Sequence, residues 1–251
     1  MSGRKRIATA APDDLFKVDE DAVKLEQAAA KSFHNITAKA IYVTKRARPD
    51  KSLDIAFLTT RVKGPAIDDR RKLRHLIEYL RATRELPLII GADGTGVLSW
   101  YVDALFAMHP DMRGHTGGAM TMGRGFPLDK STKHKLNTRS STESEIVAVD
   151  DMIPQILWAR LFMRAQGFEV RDNILYQDNR SAILLETNGR ASSSKRTKHI
   201  NIRYYYVADR VAKGDLRVVW CPTDKMIADF LTKPLQGKVF VEFRDLLMGA
   251  D

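Results

Sequence analysis

Cysteine is almost missing from this sequence: Cys221 is the single one in 251 residues. One thiol excludes an internal disulfide framework and any multi-cysteine zinc site within one chain, and it fits a reducing compartment. Long apolar runs are absent too. No stretch approaches the roughly 18 residues of a membrane span, and Met1 to Ala11 lacks the apolar core of a signal peptide. No internal repeat is visible. The expectation is a soluble, intracellular protein, cytoplasmic or nuclear and not secreted, with no membrane partner. Acid is scarce relative to base, since 31 Asp plus Glu face 41 Lys plus Arg for a formal charge of +10. That balance suits a polyanionic partner such as nucleic acid, although charge alone names none.

What is present suffices for one substantial core, or one core plus a smaller attached piece, because 44% of the residues are hydrophobic. Residues 1 to about 32 begin basic, turn acidic around Asp19 to Asp21 and end Ala-rich, in the manner of a leader or the edge of a larger chain. An amphipathic pattern from Phe33 to Thr44 runs into the basic, proline-broken turn Lys45 to Asp50, and Leu53, Ile55, Ala56 and Leu58 predict a short helix. Asp68 to Arg84 carries an apolar stripe of Leu73, Leu76, Ile77 and Leu80, with Arg71 and Arg74 opposite, either a solvated face or a track for phosphates. The period then changes. Leu86–Ile90, Val97–Phe106, Gly117–Met122 and Phe126–Lys130 are short runs punctuated by Gly, Pro and Asp, as hairpin strands are. The longest helical run spans Ser141 to Gln166, with Pro154 expected to bend it and Gly167 to end it. After it come a strand at Asn173–Gln177, a helix at Asn179–Thr187, a Ser-rich basic loop at 190–198, a helix at Tyr204–Ala212, a strand at Leu216–Trp220, and helices near Met226–Thr232 and Val239–Leu247. Hairpin strands followed by alternating helix and strand predict an α/β fold, a mixed sheet with flanking helices, preceded by a small, mostly helical segment.

Four acids stand out. Asp103 lies in Trp100-Tyr101-Val102-Asp103-Ala104-Leu105-Phe106, where every neighbour suits a buried strand and a buried charge must be paired or bind metal. Glu145 follows the Ser-rich start of the long helix. Ser140 with Glu143 makes one capping box and Thr142 with Glu145 another, so the local sequence leaves open which acid caps. Asp178, at a strand-to-helix junction, reads equally as an N-cap. Asp229 sits between apolar residues of a short helix. As a series, strand Asp, helix-start Glu, strand-end Asp and late-helix Asp resemble the acidic constellation of the ribonuclease H fold. Such oxygen ligands hold two Mg²⁺ ions about 3.5 to 4 Å apart for phosphodiester hydrolysis. Unscreened, they would repel and raise some of one another's pKa values.

From about Phe33 to Leu235 the chain also resembles, in order, the C-terminal part of the polyprotein of copia-type retrotransposons. Thr44-Lys45-Arg46-Ala47-Arg48-Pro49-Asp50 and Leu76-Ile77-Glu78-Tyr79-Leu80-Arg81-Ala82-Thr83 look like the segments that close the reverse-transcriptase region. Tyr101-Val102-Asp103-Ala104, Ser140 to Glu145, Tyr176-Gln177-Asp178-Asn179-Arg180-Ser181-Ala182, Arg196 to Tyr204 and Ala228-Asp229-Phe230-Leu231-Thr232-Lys233-Pro234-Leu235 look like its ribonuclease H signatures. The resemblance implies a ribonuclease H-like mixed sheet. It implies a leader or fragment edge over 1–32, the tail of a reverse transcriptase over 33–95, the nuclease-like domain over 96–235 and a helical tail over 236–251. It implies Asp103, Glu145, Asp178 and Asp229 as catalytic ligands of two Mg²⁺ ions, with Mn²⁺ as an alternative, and leaves Glu143 as the capping acid. Its implied partners are an RNA/DNA hybrid and the polymerase part of the polyprotein.

Substrate contacts are expected from Ser181, Lys195, Arg196, Lys198, His199 and Arg203, which offer hydroxyls and cations to phosphates beside Tyr204, Tyr205 and Tyr206. The plainer readings are a flexible loop, a solvated His199 and core tyrosines. The chain departs from the family's pattern at Leu105 and Phe106, where members carry a second acid and a Trp, and at Arg113-Gly114, where they carry a doubled Arg. The loop Cys221 to Met226 also lacks the His that many ribonucleases H place before the last acid. Those departures favour a second reading, a nucleic-acid-binding remnant without turnover. A DNA transposase or integrase is a third, which the motif order opposes. A polymerase palm is excluded by Ala104 in place of a second Asp.

Overall fold

Alternation along Val97–Leu105 (β2) sets up the centre of the molecule. Leu98, Trp100, Val102 and Ala104 enter one hydrophobic core, while Tyr101 packs with the residues of another, as a period of two requires. The computed structural model describes residues 11–189 and 201–250. Around β2 lie His115–Thr121 (β3), Leu128–Lys133 (β5), Asp172–Gln177 (β6) and Arg217–Trp220 (β7), in the order β5-β3-β2-β6-β7. β5 pairs antiparallel with β3 and β3 antiparallel with β2, and β6 and β7 are added in parallel to β2. A separate two-stranded ribbon pairs Gly91–Ala92 (β1) with Gly123–Arg124 (β4). The mixed sheet with flanking helices, preceded by a mostly helical segment, is therefore present.

Ser141–Ala165 (α4) lies across the sheet. Its Ala148, Val149, Met152, Ile153 and Ile156 fill the core beneath β2, and the helix runs unbroken through Pro154. Arg180–Asn188 (α5) and Asn201–Ala212 (α6) pack beside it, joined through Ile146, Ala182 and Tyr204. Over the opposite face the stretch predicted as a short helix, Met226–Thr232, forms a 3₁₀ turn at Ile227–Leu231. That turn is held between the sheet and Gly237–Met248 (α7) by Ile227, Phe230, Leu231, Phe240 and Tyr79.

Two adjacent glycines let both layers approach. A Cβ on Gly118 would lie 2.6 Å from Met152 Cε, and one on Gly117 would lie 2.8 Å from the Ala228 carbonyl oxygen. Met152 can change rotamer, whereas the Ala228 carbonyl is backbone. Gly117→Ala should therefore lift the turn and cost about 1–3 kcal/mol. An unchanged urea midpoint would show that the turn retreats freely.

The N-terminal part comprises Gln27–Ala47 (α1), Ser52–Arg61 (α2) and Ile67–Ala82 (α3) around Leu15, Phe16, Phe33, Phe57, Leu58 and Leu76. The two stretches Thr44–Asp50 and Leu76–Thr83, noted in the sequence for other reasons, meet in one buried network. Arg48 Nε and Nη2 donate to the two Asp50 oxygens, each at 2.8 Å, and Nη1 and Nη2 also reach Thr83 O and Oγ1 at 3.1 and 2.7 Å. Tyr79 Oη donates to Asp50 Oδ2 at 3.1 Å, and Lys51 Nζ stands 3.2 Å from the Tyr79 ring centre. This part abuts the β5 edge, where Lys45 Nζ pairs with Asp129 Oδ2 at 3.1 Å.

One predicted strand is absent. Leu86–Ile90 forms no ladder, and its Ile89 N–H bonds Met248 O instead. The apolar run is there, but its partner is the end of the chain. Arg71, a candidate for a phosphate track, is paired with Asp14 and Asp68. The basic stretch 190–198 lies outside the described residues. Among the described residues no helix is long and apolar enough to cross a membrane.

Candidate active site

Parallel pairing of β2 with β6 ends at the Tyr101–Tyr176 rung, and two residues beyond it stand Asp103 and Asp178. Carboxyl ends of parallel strands are where open sheets leave a crevice. The start of α4 meets that crevice, since Ser140 Oγ accepts the Glu143 N–H at 3.2 Å and fixes where the helix begins. Glu143 answers by accepting the Arg139 N–H through Oε2 at 2.8 Å. Glu143 is thus the capping acid, and the Thr142–Glu145 register is not used. Glu145 turns toward β2, where the field of the Ala104 N–H favours its charge, while Oε2 stays buried without a partner. The cap of α5 is likewise settled: Asn179 Oδ1 accepts from Ala182 N at 3.1 Å, leaving Asp178 free of that task.

One oxygen each from Asp103, Glu145 and Asp178 lies within 4.8 Å of the others, the one such group of three among the described residues. Asp229 lies outside that trio but close enough to Asp103 for the two carboxyls to bear on one another's ionisation. Lys233, one helical turn after Asp229, reaches both: Nζ is 2.7 Å from Asp229 Oδ1 and 3.8 Å from Asp103 Oδ2. Thr232 donates its hydroxyl to Asp103 Oδ2, and Thr223 donates to Asp178 Oδ2 at 2.9 Å. Sequence reasoning passed over Lys233, Thr232 and Thr223. The first two sat in plain view in the Ala228–Leu235 motif, where spacing alone gives no sign that the chain folds back on Asp103.

Burial, then the neighbouring acids, sets the electrostatics. Burial pushes Glu145 well above the usual carboxyl range, and Asp103 and Asp178 push it further. Asp103 is also raised by burial, with Lys233 and Thr232 opposing. Asp229 is raised to about 7 by burial and by Asp103. Burial works against the charge on Lys233, but Asp103 and Asp229 outweigh it, so its pKa is raised. A raised carboxyl binds its proton more tightly in the folded state than in the unfolded one, so stability falls as pH rises from about 4 to about 7. In metal-free protein Asp229 should accordingly contribute about 2–3 kcal/mol more stability at pH 5 than at pH 7.5, against an opposing contribution from the buried His109, His115 and His134. Asp229→Asn should remove that part of the slope, which urea titrations at the two pH values would reveal.

Of the expected substrate contacts, Ser181 is exposed in the first turn of α5, and Arg203 on α6 is paired with Asp150. Lys195, Arg196, Lys198 and His199 lie outside the described residues. Tyr204 is core, Tyr205 is half-buried, and Tyr206 is exposed under the Arg210 guanidinium. Phe106, at one of the departures from the family's pattern, is exposed, and Leu105 is half-buried. A further acid escaped the sequence reading. Glu186 on α5 is fully buried with both oxygens unpartnered, and its field reaches Glu145.

No family model matches the chain. Curated proteins do. The Pol polyprotein of transposon TNT 1-94 from Nicotiana tabacum is 26% identical over 216 residues, which cover 86% of this chain. That of transposon RE2 from Arabidopsis thaliana is 31% identical over 198 residues, 78% of this chain. The chain is homologous to copia-type retrotransposon Pol polyproteins. It spans only 16% and 14% of the lengths of those two relatives. Among solved structures, a ribonuclease H1 isolated from compost is similar over 55% of this chain and 93% of its own, at 14% identity and a TM-score of 0.41.

Proposed function

We propose that this chain supplies the ribonuclease H activity of a copia-type retrotransposon polyprotein, hydrolysing the RNA strand of RNA/DNA hybrids. The observation that carries the reading is the convergence of Asp103, Glu145 and Asp178 within 4.8 Å, with Asp229 alongside, in a chain homologous to retrotransposon Pol. The donors are all carboxylate oxygens, which suit Mg²⁺ or Mn²⁺ rather than zinc or copper. The buried, unpartnered Glu145 Oε2 is a further fit, because an orphaned carboxylate oxygen is costly until something cationic meets it. Two such ions, held by Asp103, Glu145, Asp178 and Asp229, would supply activation of water and charge stabilisation at the leaving oxygen.

The chain's own groups prepare that site. Thr232 and Thr223 each occupy one carboxylate oxygen and thereby fix how Asp103 and Asp178 face the crevice. Lys233 holds Asp229 and Asp103 together against their repulsion. Hydrolysis joins the water oxygen to phosphorus as the bond to the 3′ oxygen breaks, leaving 3′-hydroxyl and 5′-phosphate ends. Ser181 and Arg203, with Lys195, Arg196, Lys198 and His199, would contact the backbone, where phosphates position a duplex and 2′-hydroxyls identify its RNA strand. Residues 33–95 would be the tail of the reverse-transcriptase region, whose remainder would help to hold the hybrid.

The test is purified protein with Mg²⁺ on an end-labelled RNA/DNA hybrid, beside the DNA duplex of the same sequence and a chelated control. The expected result is cleavage of the hybrid's RNA alone, lost on chelation. Leu105 and Phe106, in place of an acid and a Trp, favour a second reading, a nucleic-acid-binding remnant. Hybrid bound but left intact would select it, and a cut DNA duplex would select a transposase-like activity.

A further inference from the structure

Behind the site, two buried imidazoles form a chain that ends on the segment carrying Asp229. Ser131 of β5 donates its hydroxyl to the Leu231 carbonyl oxygen at 2.8 Å. With that one proton committed, Ser131 Oγ has only lone pairs to offer His115 Nε2, 2.7 Å away, so Nε2 carries the hydrogen. His115 Nδ1 is then bare and accepts from His109 Nε2 at 3.0 Å. His109 Nδ1 ends the series as a buried nitrogen without a partner, which a lone pair tolerates better than an N–H would. Every proton in the chain points toward Leu231. A doubly protonated His115 would reverse the link to His109, but burial holds its pKa well below the ordinary value.

The chain is sealed by apolar walls. Phe16 meets both rings edge-on, at 5.2 Å from His109 and 5.7 Å from His115, and Phe57 of α2 closes behind Phe16 at 5.5 Å. In such surroundings hydrogen bonds are strengthened and a missing one is costly. Leu231 is the last residue of the turn that presents Asp229, and Thr232 and Lys233 follow it directly onto the Asp103 carboxylate. The side chains of that turn are held by apolar packing, which is not directional. The Ser131 hydroxyl provides a directional anchor.

We infer that His109, His115 and Ser131 are positioning residues, a hydrogen-bond chain that fixes the Ile227–Leu231 turn and so aims Asp229, Thr232 and Lys233 at the Asp103 strand. The inference rests on the metal-site reading only where cleavage is the readout. It also gives the N-terminal part a purpose in the nuclease region, since Phe16 and Phe57 keep the chain dry.

The test compares the full chain with Ser131→Ala, Ser131→Thr, His115→Phe and His115→Gln by amide hydrogen exchange and by Mg²⁺-dependent cleavage. Exchange at residues 227–233 should quicken about tenfold in Ser131→Ala and His115→Phe, while β2 amides keep their protection. Ser131→Thr retains the hydroxyl, and His115→Gln retains a donor toward it, so both should restore slow exchange. In cleavage, the Mg²⁺ concentration for half-maximal rate should rise about tenfold in Ser131→Ala with KM for the hybrid unchanged. Unaltered exchange at 227–233, or loosening of β2 in step with it, would overturn the inference. If the wild-type chain cuts no hybrid yet exchange behaves as described, the positioning chain stands and the nuclease reading falls.

Discussion

Glu145→Gln should abolish Mg²⁺-dependent cleavage and leave the fold standing, whereas Glu143→Gln should cleave normally and cost at most about 1 kcal/mol. The two acids are separated by one residue at the start of the same helix, and both are buried. Their surroundings divide their work. Glu143 accepts the Arg139 N–H, a bond that an amide oxygen can also accept, so the glutamine loses only part of a cap. Glu145 has one oxygen unpartnered and faces Asp103 and Asp178, so its negative charge is what a cation at that site would use. Removing it should lower the rate by at least about 100-fold, the upper end of what even an outer partner of a metal ligand costs. Metal-free stability should hold or rise, because the substitution removes a buried carboxyl whose ionisation burial and two neighbouring acids oppose. Cleavage assays and urea midpoints on the two variants check both halves. Reversed phenotypes would show that the cap and the ligand have been exchanged.

The second large effect lies far from the acids. Arg48→Met should lower stability by about 3–5 kcal/mol, the cost of removing one partner from a buried ion pair. Asp50 is almost wholly buried, and its carboxyl is held below the usual range only because Lys51 and Arg48 together outweigh burial. Lys51 would remain at 3.6 Å, which keeps the loss toward the lower end. Arg48→Lys should fall nearly as far, since an ammonium cannot reproduce the fork that grips both Asp50 oxygens and Thr83. Thermal or urea unfolding measures it directly. A loss under about 1 kcal/mol would mean that the network is dispensable to the fold.

Several features were legible because their cause is local. Alternating apolar residues from Leu98 to Ala104 announce a strand with one face buried, and the Ser140 cap followed by Ile146, Val149, Ile153 and Ile156 announces α4. Leu86–Ile90 forms no strand, and a short apolar run does not say whether its backbone pairs with a neighbouring strand. Here Ile89 reaches Met248, across most of the chain. The short helix at Ile227–Leu231 is legible, but its 3₁₀ form is not: its apolar pattern fits either form, and packing between the sheet and α7 selects the tighter one. Gly117 gave no signal at all, because its role depends on the distance to Ala228 in another layer.

By itself the sequence determined the strand and helix periods, the cap at Ser140 and the presence of acids in hydrophobic surroundings, all of which follow from contacts within a few residues. It left Glu143 and Glu145 interchangeable and Asp178 able to cap, since neighbouring residues offer either acid the same backbone donors. Only the tertiary structure decided between them, by placing the Arg139 N–H beside Glu143, Asn179 on the cap of α5, and Glu145 and Asp178 around Asp103. The same closure brought Thr232 and Lys233 onto an acid 129 and 130 residues earlier. Which carboxylates share a field depends on distance through space, and no local pattern encodes that distance.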